Sequence, residues 1–140
     1  MTSNELKSTS SATSNKLNNF SYGRKSQELL SLVNPDLRLL AYEVLKRSKY
    51  DIGITETYRS QARQEYLYSI GKSKTLNSYH CQLKALDFCV YNEDHKVTWD
   101  EKYYIYVGEL FEQIAKEKRI NITWGGRWNS IKDYCHVQIN

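Results

Sequence analysis

The chain has 140 residues, 40% of them hydrophobic, and a net charge of +4, enough for one domain to bury a core without a disulfide framework. Its three cysteines lack paired spacing, so reduced thiols are expected rather than a cysteine-rich metal scaffold. No run of five basic residues marks a nucleic-acid tail, no apolar stretch approaches the ~18 residues of a membrane span, and the N-terminus has no signal-peptide core. The expectation is a soluble monomer made in a cytoplasm, with no nucleic-acid partner and no stable membrane insertion.

Residues 1–19 are rich in Ser, Thr and Asn and poor in large apolar groups, which predicts a disordered tail ahead of one domain over 20–140. Asn34-Pro35 is a helix start, with Asn34 as N-cap and Pro35 in the first turn. Leu37, Leu40, Ala41, Val44 and Leu45 then recur at helical spacing and form an apolar face. Asp51 to Glu56 alternates as a short strand, and Tyr58-Arg59-Ser60 follows. Ser60 can cap a helix carrying Ala62, Tyr66, Leu67 and Ile70, ended by Gly71. Arg59 therefore sits at a strand-to-helix junction, where loops present functional groups.

A polar loop over 72–79 leads into the apolar run Ala85 to Tyr91. Alternation puts Leu86, Phe88 and Val90 on a core face and Ala85, Asp87 and Cys89 on a cleft face. Thr98-Trp99-Asp100-Glu101 has the form of a capping box, opening a helix with Tyr103, Val107, Leu110, Phe111 and Ile114. Ile120 to Trp124 is a strand, Gly125-Gly126 a sharp turn, and His136 to Ile139 a last strand with His136 and Gln138 on one face. Short mixed elements without regular βαβ alternation give an α+β fold: one domain, a small, mostly antiparallel sheet with flanking helices, and a cleft on the sheet.

A carboxylate inside an apolar strand is costly unless compensated, and Asp87 lies seven residues after His80. With His136 these residues make a two-histidine, one-aspartate donor set, the pattern of a catalytic zinc with a coordination position left open. Asp133 can act as general base towards water, and Arg59 can pair with a polarised carbonyl or a substrate carboxylate. By spacing alone, satisfied core or surface groups are the default reading of these residues.

Four ordered blocks add to this. Ser78-x-His80, six residues, then Asp87; Trp124-Gly125-Gly126-x-Trp128, then Asp133-x-x-His136; Tyr58-Arg59-Ser60 with Gln64 and Leu67-Tyr68; and Gly23-Arg24-x-Ser26 stand in sequence. Together they resemble the zinc D,D-carboxypeptidase and endolysin family of peptidoglycan peptidases, most closely its bacteriophage L-alanyl-D-glutamate endopeptidases. The resemblance spans roughly 20–140. It implies that His80, Asp87 and His136 bind Zn2+, that Asp133 is the catalytic base, and that Arg59 binds substrate or the oxyanion. Ser78, Gln64, Trp124 and Trp128 would support the site or touch substrate. The implied partner is peptidoglycan and the implied role a phage or prophage lysis enzyme cutting L-Ala–D-Glu. The alternatives are a D-Ala–D-Ala carboxypeptidase of the same family and a non-catalytic wall-binding module. The sequence departs from the family pattern at Thr57 and Leu83, where Gly is usual, at Cys135, where Pro is common, and at Val137 and Gln138, where Phe and Glu are usual. Leu83 bears on the backbone between the first two ligands.

Overall fold

A computed structural model describes residues 18–140 of the chain. Residues 1–17, the greater part of the expected tail, lie outside the described residues. Asn18, assigned to that tail, donates a side-chain hydrogen bond to the Leu45 carbonyl at 2.9 Å.

The first helix among the described residues is α1 (Arg24–Leu30), which its sequence does not announce by any apolar periodicity. Helix α2 (Pro35–Arg47) starts where predicted: the Asn34 side chain accepts from the backbone N–H of Asp36 at 2.8 Å and of Leu37 at 3.4 Å. These contacts satisfy donors that no helical carbonyl can reach. Strand β1 (Ile52–Glu56) leads into α3 (Gln61–Ser69), capped as expected by the Ser60 hydroxyl, which accepts from Arg63 N–H. Strand β2 (Ala85–Tyr91), the two-residue β3 (Val97–Thr98), α4 (Glu101–Lys118), β4 (Ile122–Trp124), one 3-10 turn (Gly125–Arg127) and β5 (His136–Ile139) complete the chain.

The strands form one antiparallel sheet in the order β1-β2-β5-β4, with β3 also paired to β2. Register follows burial. Leu86, Phe88 and Val90 of β2 join Leu37, Leu40 and Val44 of α2 and Val107, Phe111 and Ile114 of α4 in one core. The Phe88 ring stacks between those of Tyr104 and Phe111, with centroids 5.5 and 5.7 Å away. Fully burying each such side chain contributes about 1.5–3 kcal/mol. The opposite face of β2 keeps Asp87 half-buried, as the alternation predicted.

Trp124 lies inside this core at 2% exposure and fixes how closely α4 approaches β4. A Cβ on Gly108 would stand 2.1 Å from its indole, and one on Gly126 2.3 Å, so only glycine fits at either place.

Two local expectations fail. The capping box does not form: Asp100 is the N-cap of α4, while the Thr98 hydroxyl accepts from Asp100 N–H and Thr98 itself extends β3. Pairing with β2 draws Thr98 into the sheet ahead of the helix. Helix α3 does not bury the face of Ala62, Tyr66 and Ile70; Tyr66 and Ile70 are about half exposed, and its buried residue is Gln64. A polar side chain goes inside there because it has partners to meet.

Among the described residues no helix is long and apolar enough to cross a membrane.

Candidate metal centre

The site forms where β2 and β5 run side by side. Asp87 and His136 are direct cross-strand partners, so the sheet register places the carboxylate against the imidazole. His80 comes from the loop before β2, shaped by local bonds: the Ser78 hydroxyl accepts from His80 N–H at 3.1 Å, and Leu83 N–H donates to the His80 carbonyl at 3.2 Å. Leu83 adopts φ +61°, the left-handed conformation that a glycine takes without cost. Leucine thus takes the left-handed conformation despite its Cβ.

Three donors converge. Asp87 Oδ1 lies 3.2 Å from His80 Nε2 and 3.3 Å from His136 Nδ1, and the ligand atoms of all three residues lie within 4.8 Å of one another. An ion with bonds of ~2.0–2.1 Å in tetrahedral geometry separates its ligands by about 3.3 Å. The remaining ring nitrogens are engaged elsewhere. His80 Nδ1 faces the Thr57 carbonyl at 3.3 Å, and His136 Nε2 faces Gln138 Oε1 at 2.8 Å. Since both partners are acceptors, each outer nitrogen can keep a proton, so the inner nitrogen that bonds Asp87 is the one that can give up its proton to a metal, the arrangement that ligating histidines need. These residues fit a divalent metal.

Electrostatics agree with the geometry. Burial would raise the Asp87 pKa, but bonds from His136 and His80 hold it well below the usual carboxylate range. Burial pushes the His136 pKa down, and Asp87 reverses that, leaving it raised. Asp87 therefore carries the negative charge that cations at this site compensate.

Asp133 stands beside this trio, its carboxylate within 4.8 Å of the Asp87 oxygen in a second group that includes Cys135. Its backbone N–H donates to the Gly125 carbonyl at 3.1 Å, and a Cβ on Gly125 would lie 2.3 Å from the Asp133 carbonyl. The glycine pair therefore shapes the loop that presents Asp133. Trp128 lies over the His136 ring at 5.1 Å, whereas Trp124 is held inside by its indole N–H bond to the Tyr134 carbonyl.

Arg59 is firmly held. Its Nε and Nη2 donate to the Glu56 carboxylate at 3.2 and 2.5 Å, and Nη1 to Gln64 Oε1 at 2.8 Å. Burial opposes the guanidinium charge, and the hydrogen bond to Glu56 more than restores it. Gln64, fully buried, also donates to Ser73 Oγ and the Thr75 carbonyl, tying Arg59 to the loop that precedes His80.

Sequence reasoning overlooked Glu56 and the positive contribution of Thr57. A bulge between Ile54 and Glu56 shifts the register and sets Glu56 opposite Asp87, which regular alternation could not show. Thr57 is buried, and its hydroxyl donates to the Leu29 carbonyl at 2.6 Å, so it links the end of α1 to the His80 partner. Gln138 was visible as a neighbour of His136 on the same strand face.

Comparison with known proteins now bears on this geometry. Residues 18–139 match the family described as phage L-alanyl-D-glutamate peptidase. The chain belongs to that family. It is 31% identical over 119 residues to the L-alanyl-D-glutamate peptidase of Escherichia phage T5, covering 82% of this chain and 86% of the phage protein. It is 32% identical over 101 residues to the peptidoglycan L-alanyl-D-glutamate endopeptidase CwlK of Bacillus subtilis (strain 168), covering 64% of this chain. That match spans 60% of CwlK, so the chain corresponds to less than two thirds of that relative. The crystal structure of the Serratia marcescens L-Ala D-Glu endopeptidase ChiX superposes with a TM-score of 0.80 at 31% identity, covering 86% of this chain and 90% of that one. The α+β architecture of this phage-peptidase family member is therefore that of a solved endopeptidase.

Proposed function

We propose that this chain is a zinc-dependent peptidoglycan endopeptidase that hydrolyses the L-Ala–D-Glu bond of the stem peptide, as a phage or prophage lysis enzyme. The observation that carries the reading is the convergence of His80 Nε2, Asp87 Oδ1 and His136 Nδ1, with both outer ring nitrogens bonded to acceptors. Family membership supplies the substrate class. The names of the T5, Bacillus and Serratia relatives support the bond cut.

In this reading His80, Asp87 and His136 hold zinc, which when bound supplies a Lewis acid and makes water a stronger acid. Asp133 takes the proton of the attacking water and passes it to the leaving amine of D-Glu. Arg59 keeps two guanidinium N–H groups beyond those given to Glu56 and Gln64, and these face the oxyanion or the α-carboxylate beside the scissile bond. Trp128 restricts the His136 ring, Ser78 fixes the His80 loop, Gln64 orients Arg59, and Trp124 holds the scaffold beneath. Residues 20–140 are the catalytic domain.

The test is digestion of purified sacculi by zinc-loaded protein, by chelated protein and by chelated protein given zinc back. The expected products are peptides with new N-terminal Glu, lost on chelation and restored by zinc. Release of free D-Ala instead would assign the carboxypeptidase reaction, and no release at all would leave a wall-binding module.

A further inference from the structure

A cavity of about 260 Å³ opens beside Asp133, and apart from Asp133 none of the residues lining it has a part in the proposed hydrolysis. Its walls are aromatic: Trp99, Tyr104 and Tyr134 line it, together with Glu101, Lys132 and Asp133. Trp99 is 70% exposed, far from the usual state of an indole, and lies parallel to the Tyr104 ring at 5.8 Å and 13°. A large aromatic face held in water by stacking offers a ready contact surface for a ligand.

The polar groups of the cavity are unevenly engaged. The Tyr104 hydroxyl donates to the Thr98 carbonyl and accepts from Val90 N–H. The Lys132 ammonium donates to the carbonyls of Trp128 at 3.0 Å and Gly126 at 3.3 Å. Glu101 has no hydrogen bond or ion pair among the described residues. The cavity thus presents an unbonded carboxylate, Glu101, and an exposed indole, Trp99, among its lining groups, together with Asp133. An ammonium on a flexible alkyl stem gains from both features: the carboxylate binds its charge, and the aromatic rings take the stem and the cation. An anion would meet Glu101 and Asp133, and a neutral tip would leave Glu101 without a partner.

We propose that this cavity is a specificity subsite for the amine-bearing side chain of the third stem-peptide residue, with Glu101 binding its free ammonium over Trp99. This rests on the endopeptidase reading and deepens it. Asp133 borders both the proposed zinc site and the cavity, so a stem peptide held at the site lies beside it, and the γ-linked D-Glu followed by a lysine-like side chain gives the ammonium a long flexible tether into it. Acylation of that amine, as in a wall cross-link, removes the charge. The subsite therefore favours stems that are not cross-linked through this residue.

The test uses two synthetic peptides, L-Ala–γ-D-Glu–L-Lys with the side-chain amine free or acetylated, on zinc-loaded wild type and Glu101→Gln. Wild type is expected to cleave the free-amine peptide with about five- to tenfold higher kcat/KM, expressed in KM, the size of a partly exposed ion pair combined with a cation–π contact. Glu101→Gln removes that preference, and Glu101→Lys reverses it; thermal unfolding checks that both variants are folded. Equal wild-type rates on the two peptides, or a preference that survives in Glu101→Gln, overturns the subsite and leaves the endopeptidase reading standing. Cleavage of neither peptide overturns both.

Discussion

Asp87 shows how one side chain determines the chemistry around it. A carboxylate held low by two imidazoles on the cleft face of a buried strand is suited to facing a cation, and the proposed metal would be the strongest of these. In the proposed mechanism Asp133 is the base and not a metal ligand, so Asp133→Asn is expected to abolish wall hydrolysis while bound zinc, measured by atomic absorption, stays at the wild-type ratio. Gln138 holds His136 through the ring nitrogen turned away from Asp87. Gln138→Ala should weaken zinc affinity about 10–100-fold, read in a competition titration with a chromophoric chelator. Leu83 pays for the left-handed turn with its Cβ. Leu83→Gly relieves about 1–2 kcal/mol of strain against an entropic cost of about 0.5–1, and is expected to be neutral or stabilising by up to about 1.5 kcal/mol in denaturant unfolding. A β-branched Val at the same place should destabilise.

Among the elements, those with strong local signals were legible. Helix α2 follows from Asn34, Pro35 and the Leu37-to-Leu45 stripe, and the two faces of β2 follow from simple alternation. Helix α3 could be located by its Ser60 cap but not oriented, because its buried residue is a glutamine whose partners lie in another loop. The bulge in β1 and the two-residue β3 depend on pairing with β2 and leave no periodic trace. Helices α2 and α4 are bridged by Arg47, whose two terminal nitrogens bond both oxygens of Glu117 at 2.8 and 3.1 Å. The hydrogen bond from Arg47 lowers the Glu117 pKa to about 2. A carboxylate with a depressed folded-state pKa stabilises above its unfolded value near ~4.3 and loses that contribution as pH falls through the folded one. Between pH 5 and pH 2 the Tm of wild type should therefore fall further than that of Arg47→Gln; parallel declines would show the bridge to be without effect.

For the whole molecule, the sheet serves as a frame that brings distant segments to one place. His80, Asp87, Asp133 and His136 come from two stretches of chain, and β2–β5 pairing alone aligns Asp87 with His136. The donor types and their ordered blocks were readable from sequence; which ring nitrogen faces inward was not, since that depends on the Thr57 carbonyl and Gln138. The core beneath must hold this register. Phe111→Ala, in the stack under β2, is expected to cost about 3–5 kcal/mol in denaturant unfolding and to lower zinc affinity along with stability. The proposed mechanism requires one zinc held by His80 Nε2, Asp87 Oδ1 and His136 Nδ1. Anomalous diffraction at the zinc edge from crystals of the loaded protein tests it directly. The predicted map has one protein-bound peak at about 2.0–2.2 Å from each of these three atoms. A peak bound through His136 Nε2, or one lying away from Asp87, would contradict the account.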